Sequence, residues 1–200
     1  HIASLGALYG AISAGASMTV VEAFRPAEFW SVVRRSGATT NVGLNGAWMN
    51  MIAKATPVGA ADRDHKFRIA LITSPDPIAR DFAERFGCDL FAAYGMSEAS
   101  GIAISEINTP KNRTVGKLRE GIEWRLVDEH DIEVPPGEPG ELIIRAGHPW
   151  VLNDGYHNNP EATAQAWRNG WFHTGDVFTQ DGDGDLYYVD RNKDVIRRRG

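Results

Sequence analysis

The sequence predicts an α/β fold, a parallel sheet flanked by helices, followed by a β-rich, barrel-like subdomain and a short charged segment. Three observations predict it. Up to about residue 105, apolar runs of strand length alternate four times with helical stretches at a spacing of roughly two dozen residues, as strands joined by crossover helices do. Beyond that point short strands and tight turns take over, and the last ten residues alternate in charge. The expected division is therefore 1–105, 106–190 and 191–200.

Leu5 to Ala14 is small and apolar and reads as a helix ending at Gly15, after which Met18 to Val21 reads as a short buried strand. Pro26 stands where a first helical residue would, and Phe29, Val32 and Val33 form one apolar stripe closed by Gly37. Thr39 to Val42 restarts as strand, a helix follows around Trp48 to Lys54, and a polar loop runs from Pro57 to His65. Phe67 to Ile72 is the next strand. Asp76 caps and Pro77 starts a helix on which Ile78, Phe82 and Phe86 recur every four residues until Gly87. Leu90 to Ala93 is the strand that delivers Tyr94. In the second half Ile122, Trp124 and Leu126 alternate with Glu123, Arg125 and Val127, and Pro135 to Gly140 is a turn-rich connector into the strand Glu141 to Arg145. One helix, Pro160 to about Trp167, interrupts the strands that continue to Asp190.

The chain has 200 residues, 42% of them hydrophobic, enough to bury one large or two small cores. A net charge of -5, with the basic residues clustered only at Arg197-Arg198-Arg199, argues against a sequence-independent grip on nucleic acid. Cys88 is the single cysteine, so no internal disulfide forms, and a reducing, cytoplasmic setting is expected; its surroundings suit a small core residue better than a nucleophile. No apolar run reaches membrane-spanning length, and no signal peptide opens the chain. A chain that opens on His1 and stops on Gly200 after an Arg run reads as a piece of something longer.

Three stretches carry chemistry. Tyr94-Gly95-Met96-Ser97-Glu98 places an aromatic face, a flexible Gly, a hydroxyl and a carboxylate where a strand runs out into a loop on the rim of a sheet, the place where open α/β folds bind ligands. An aromatic packs on a base, a hydroxyl donates to a phosphate, and a carboxylate holds Mg²⁺ that bridges phosphate oxygens. Alone, the same five residues serve equally as a strand cap with Glu in solvent. Thr174-Gly175-Asp176 puts a carboxylate just past a Gly turn, before the strand Val177-Phe178; such a carboxylate either accepts both hydroxyls of a ribose or simply caps the turn. Arg191 to Gly200 alternates in charge, which also suits a solvated linker. Asp181-Gly182-Asp183-Gly184-Asp185 lacks the Gly and the closing Glu of a Ca²⁺ loop and reads as a hairpin turn. His65, His130, His148, His157 and His173 show no metal-ligand spacing.

In their order and spacing these stretches resemble the adenylate-forming superfamily: acyl-CoA synthetases, peptide-synthetase adenylation domains and beetle luciferases. The likeness spans almost the whole chain and includes a middle motif at Gly140-Glu141-Leu142, Gly147, Gly155-Tyr156, Pro160 and Thr163, with a hinge motif at Arg191 through Gly200. Tyr-Gly-Met-Ser-Glu and the Arg-rich hinge are most similar to CoA ligases, and the Phe29-Trp30 helix with Arg34-Arg35 to carnitine- or crotonobetaine-CoA ligases.

The resemblance implies an acid:CoA ligase that uses ATP, Mg²⁺ and coenzyme A. Tyr94 would stack on adenine, Gly95 would belong to the same cofactor site, Ser97 would contact the α-phosphate, and Glu98 would hold Mg²⁺. Asp176 would bind the ribose hydroxyls with support from Arg191. Lys193 or Asp194 would fall at the hinge of a lid, and His1 would stand beside the acyl pocket. A carboxylic acid would attack the α-phosphorus of ATP and expel pyrophosphate, and a thiol would then displace AMP. The family's Gly-Gly turn is replaced by Thr73-Ser74-Pro75-Asp76-Pro77, and neither the phosphate loop nor the lid with its catalytic Lys is present. The chain alone is therefore expected to give no adenylation. The alternatives are a non-catalytic nucleotide- or acyl-binding module and a peptide-synthetase adenylation domain served by a carrier protein.

Overall fold

The computed structural model describes residues 2–191. They divide into two compact units, one of residues 2–94 and 105–113, the other of residues 95–104 and 114–191.

The first unit is α/β. Helix α1 (Ile2–Ser13) precedes a segment in which Met18 to Val21 is not a strand: Val20 is 77% exposed and these residues pair with no strand among those described. An isolated β-branched run has strand propensity, but without a partner that propensity decides nothing. A turn of 3-10 helix at Pro26–Glu28 then leads into α2 (Phe29–Ser36), closed by Gly37 in the left-handed conformation at φ 67°. Strands β1 (Thr40–Leu44), β2 (Ile69–Ile72) and β3 (Asp89–Met96) follow, with α3 (Gly46–Ala55) and α4 (Pro77–Phe86) in the connections. β2 pairs in parallel with β1 and with the first part of β3, Ile69 opposite Thr40 and Asp89. The parallel sheet with crossover helices is thus as predicted.

Trp30 is the hub of this unit's core. Its indole stacks on His65 at 4.3 Å between ring centroids, lies 4.5 Å from Phe86, and meets Phe29 and Phe67 edge-on. Aromatic pairs in such arrangements add about 0.5–1.5 kcal/mol each beyond the area they bury. On α4 the buried face is Ala79, Phe82 and Phe86, while Ile78 is turned outward. Cys88 is buried in the same core, where burial first and the neighbouring Asp89 charge second push its thiol up to about 11, unsuited to a nucleophile at neutral pH.

Asp76 shows how the replaced Gly-Gly turn is built. Its Oδ1 accepts the Ala79 N–H at 2.7 Å as the α4 N-cap, and its carboxylate lies against Gly46 so closely that a side chain there would collide. Asp76→Ala is expected to lower stability by about 1 kcal/mol, the usual worth of an N-cap, as measured by denaturant unfolding.

The second unit is antiparallel. Its strands are β4 (Ser100–Ile104), β5 (Thr114–Leu118), β6 (Ile122–Val127), β7 (Gly140–Ala146), β8 (Trp167–Arg168), β9 (Trp171–Gln180) and β10 (Leu186–Arg191). They pair in the order β4-β5-β10-β9-β7-β6, with β8 also on β9. Helix α5 (Pro160–Ala166) is capped by Asn159, whose side chain accepts the Ala162 N–H. The hairpin between β9 and β10 is built on Asp181: Oδ1 accepts the N–H groups of Asp183 and Asp185 at 3.0 Å each, and Oδ2 accepts the Tyr187 hydroxyl at 2.7 Å. The acidic run is therefore a hairpin turn, as expected. Trp171 is buried beneath the guanidinium groups of Arg125 and Arg145, 5.0 and 4.6 Å from its ring centroid.

Candidate functional site

β3 does not stop at Ala93 but continues to Met96, so Tyr94 and Gly95 belong to the strand and the turn is Ser97 to Ala99. Tyr94 is half-buried and is the last residue of the first unit before the chain enters the second. Gly95 is required for space and not for flexibility, since a Cβ there would run into the Ser100 carbonyl and stand 2.8 Å from the Gly101 Cα. The turn closes through the Ala99 N–H to the Met96 carbonyl at 3.2 Å, leaving Ser97 exposed and Glu98 half-buried.

Glu98 is anchored from residues some sixty positions away in sequence. Its backbone carbonyl accepts the Asn153 N–H at 2.8 Å, and its Oε1 accepts the Tyr156 hydroxyl at 2.9 Å. Tyr156 is itself held, because Gly155 packs on Thr163 and the Thr163 hydroxyl accepts the Tyr156 N–H at 2.9 Å. Beside this contact a cleft of about 680 Å³ is lined by residues 154–160 together with Thr163, Ala164 and Trp167. Burial, then the hydrogen bond to Glu98, then its charge push the Tyr156 phenol up from 10.0 to about 12. Because the folded value is raised, the stability of this contact is complete below pH 10 and is lost as the pH climbs towards 12. Glu98→Gln is expected to bring the Tyr156 titration down, as followed by NMR of the labelled ring.

Asp176 is not in a turn before a strand; it lies within β9 at a bulge. Glu141 pairs with Val177 and Ile143 with His173, so Leu142 alone faces Thr174, Gly175 and Asp176. Gly175 takes φ 72°, a left-handed conformation that favours glycine. The Thr174 hydroxyl donates to the Leu142 carbonyl at 2.7 Å and accepts the Asp176 N–H at 3.1 Å. The Asp176 residue is 3% exposed, and Arg191, its cross-strand partner on β10, places Nε 3.1 Å from Oδ1. Asp176 and Arg191 form a direct ion pair.

Beneath the bulge lies an ionic cluster that the sequence did not reveal, with Glu141 and His173 buried and Arg168 exposed. Glu141 Oε1 accepts the Gly175 N–H at 3.0 Å, and Oε2 lies 3.3 Å from His173 Nδ1 and 3.5 Å from Arg168. Asp131 pairs with Arg168 at 3.2 Å. Burial acts to raise the Glu141 carboxyl, but His173, the Gly175 N–H and Arg168 together outweigh it and hold the group below the usual range. His1, Lys193 and Asp194 lie outside the described residues.

Residues 1–156 match the family model described as AMP-binding enzyme. The chain belongs to that family. Over 195 residues it is 33% identical to crotonobetaine/carnitine-CoA ligase of Salmonella typhimurium (strain LT2), covering 95% of this chain and 37% of the relative. The corresponding ligase of Escherichia coli O45:K1 is 32% identical over 199 residues, 97% of this chain and 38% of that protein. The chain thus spans little more than a third of the length of these relatives. Among solved structures, a provisionally assigned long-chain-fatty-acid CoA ligase from Rhodopseudomonas palustris superposes with TM-score 0.82 at 26% identity, covering 96% of this chain and 47% of the other. Amide bond synthetase McbA from Marinactinospora thermotolerans gives 0.71 at 29% identity, over 88% of this chain and 37% of that one.

Membership of the AMP-binding family accords with the recognition drawn from the three stretches. What the stretches lacked were the supports. Asn153, Tyr156, Glu141 and Thr174 hold the candidate carboxylates, and only the bare motif letters at Glu141 and Tyr156 pointed to two of them. No helix among the described residues is long and apolar enough to cross a membrane.

Proposed function

We propose that this chain is part of an ATP-dependent acid:CoA ligase that activates a carboxylic acid as acyl-AMP, releases pyrophosphate, and transfers the acyl group to coenzyme A. The observation that carries the proposal is Asp176, a carboxylate 3% exposed, presented on a bulge and paired with Arg191 in a chain of the AMP-binding family. A buried carboxylate held in this way suits a cis-diol, to which it can accept two charge-assisted hydrogen bonds.

In this reading Tyr94 stacks on the adenine with Gly95 in the same cofactor site, Ser97 meets the α-phosphate, and Glu98 approaches Mg²⁺. Tyr156 takes one oxygen of Glu98, and no other described residue hydrogen-bonds its second oxygen, which fits a single-point ligand to a metal. Mg²⁺ keeps several waters and phosphate oxygens and needs only one or two carboxylates. Among the described residues no group of three or more His, Cys, Asp or Glu forms a metal cage. The residues named would position the reactants, and a metal ion held at Glu98 would offset phosphate charge, while the acid's oxygen attacks the α-phosphorus and pyrophosphate departs. The thiol sulfur of CoA then forms the thioester bond as the acyl-phosphate bond to AMP breaks.

A thiol acceptor is supported by the CoA ligases at 33% identity, while an amide bond synthetase at 29% shows a related protein named for a different product. A cytoplasmic location suits the free thiol of Cys88. The test is ATP-dependent pyrophosphate release by the whole protein with a panel of carboxylic acids, followed by mass spectrometry of products formed with CoA, a carrier protein or an amine. Acyl-CoA supports the proposal. Nucleotide binding without pyrophosphate release would make the protein a binding module, and acylated carrier alone would make it an adenylation domain of the peptide-synthetase kind.

A further inference from the structure

Glu141 is a carboxylate, 8% exposed, to which the proposed reaction gives no task. Burying a carboxylate costs several kcal/mol unless it is paired and hydrogen-bonded, so its partners show what it is for. One oxygen accepts the N–H of Gly175, the residue directly before Asp176, at 3.0 Å. The other meets the ring of His173, at the opposite end of the bulge, at 3.3 Å. A single side chain from β7 therefore holds both the residue that precedes the three-residue excursion of β9 and the excursion's middle residue, next to Asp176. Thr174 bonds the same excursion to Leu142, and Arg168 approaches Glu141 from β8 at 3.5 Å. His173 in turn has Nε2 3.9 Å from Asp131 Oδ2, and Asp131 is fixed by Arg168 and Asn169.

We infer that Glu141 is the positioning residue for Asp176: its hydrogen bond to the Gly175 N–H fixes the bulge so that the Asp176 carboxylate meets a ribose diol in one orientation. The inference rests on the ribose reading of Asp176 and adds to it that the diol is recognised only while this bond is made. The alternative is that Glu141 is a buried polar residue serving stability alone.

The experiment titrates AMP and 2′,3′-dideoxy-AMP separately into the whole protein by calorimetry and takes the ratio of affinities. A stability role scales the folded fraction and leaves the ratio unchanged, whereas a positioning role collapses it. The wild type is expected to favour AMP by about a hundredfold or more, because two charge-assisted bonds are lost and each is worth about tenfold. Asp176→Ala should bring the ratio within about threefold of unity. Glu141→Asp keeps the charge but falls one methylene short of Gly175, and should collapse the ratio similarly. Glu141→Gln keeps the reach and an acceptor oxygen, and should preserve most of it. Should Glu141→Asp discriminate as well as the wild type, or Glu141→Gln lose as much as Glu141→Asp, the positioning role is overturned while the ribose reading stands. A folded wild type that binds no AMP, or does not discriminate, overturns both.

Discussion

Gly95→Ala is expected to destabilise the second unit by about 3 kcal/mol, one of the larger effects available to a single methyl group. The added Cβ would collide with the Ser100 carbonyl and stand 2.8 Å from the Gly101 Cα, so backbone and not a flexible side chain has to move. Overpacking against backbone is relieved only by shifting the strand. Gly101→Ala is the control, since a Cβ at that neighbouring position meets nothing within 4 Å. Thermal unfolding of the two variants should therefore separate widely, with Gly101→Ala within about 0.5–1 kcal/mol of the wild type. Equal stability of Gly95→Ala and the wild type would mean that β4 lies elsewhere. The functional consequence runs through the same atoms: Ser100 directly follows the turn carrying Ser97 and Glu98, so a displaced β4 also draws Glu98 off the Tyr156 hydroxyl.

Much of this was legible in the sequence because the signals were local. Asp76 and Pro77 opened α4, Gly37 and Gly87 closed α2 and α4 in the left-handed conformation, and the alternation of strand and helix gave the parallel sheet. What was not legible depended on partners distant in sequence. Met18 to Val21 has strand composition and no strand to pair with; Ile78 has core composition on the outer side of its helix. Thr174-Gly175-Asp176 has turn composition, yet pairing to β7 and β10 on either side keeps it within β9 and converts the Gly into a bulge. The candidate carboxylates were found as letters of motifs. Their supports, Tyr156 under Glu98 and Glu141 under Gly175, span 58 and 34 positions and leave no periodic trace.

Asp176→Ala should weaken AMP binding by about a hundredfold or more, and Asp176→Asn by about tenfold. Two charge-assisted hydrogen bonds to a ribose are worth about 1.5–3 kcal/mol each, whereas the neutral amide keeps the shape and one acceptor without the charge. Arg191→Ala tests what the ion pair adds. The Arg191 side chain is 66% exposed and that of Asp176 only 5%, so the pair is half in solvent and its own contribution falls near the 0–1 kcal/mol of surface pairs. A loss of no more than about fivefold is expected, well short of the Asp176→Ala effect. Calorimetry on the three variants, each checked for fold by circular dichroism, ranks them. If Arg191→Ala costs as much as Asp176→Ala, the arginine contacts the nucleotide directly and the carboxylate only orients it. If Asp176→Ala binds AMP like the wild type, the ribose is held elsewhere, and the bulge at Gly175 serves the sheet and not the ligand.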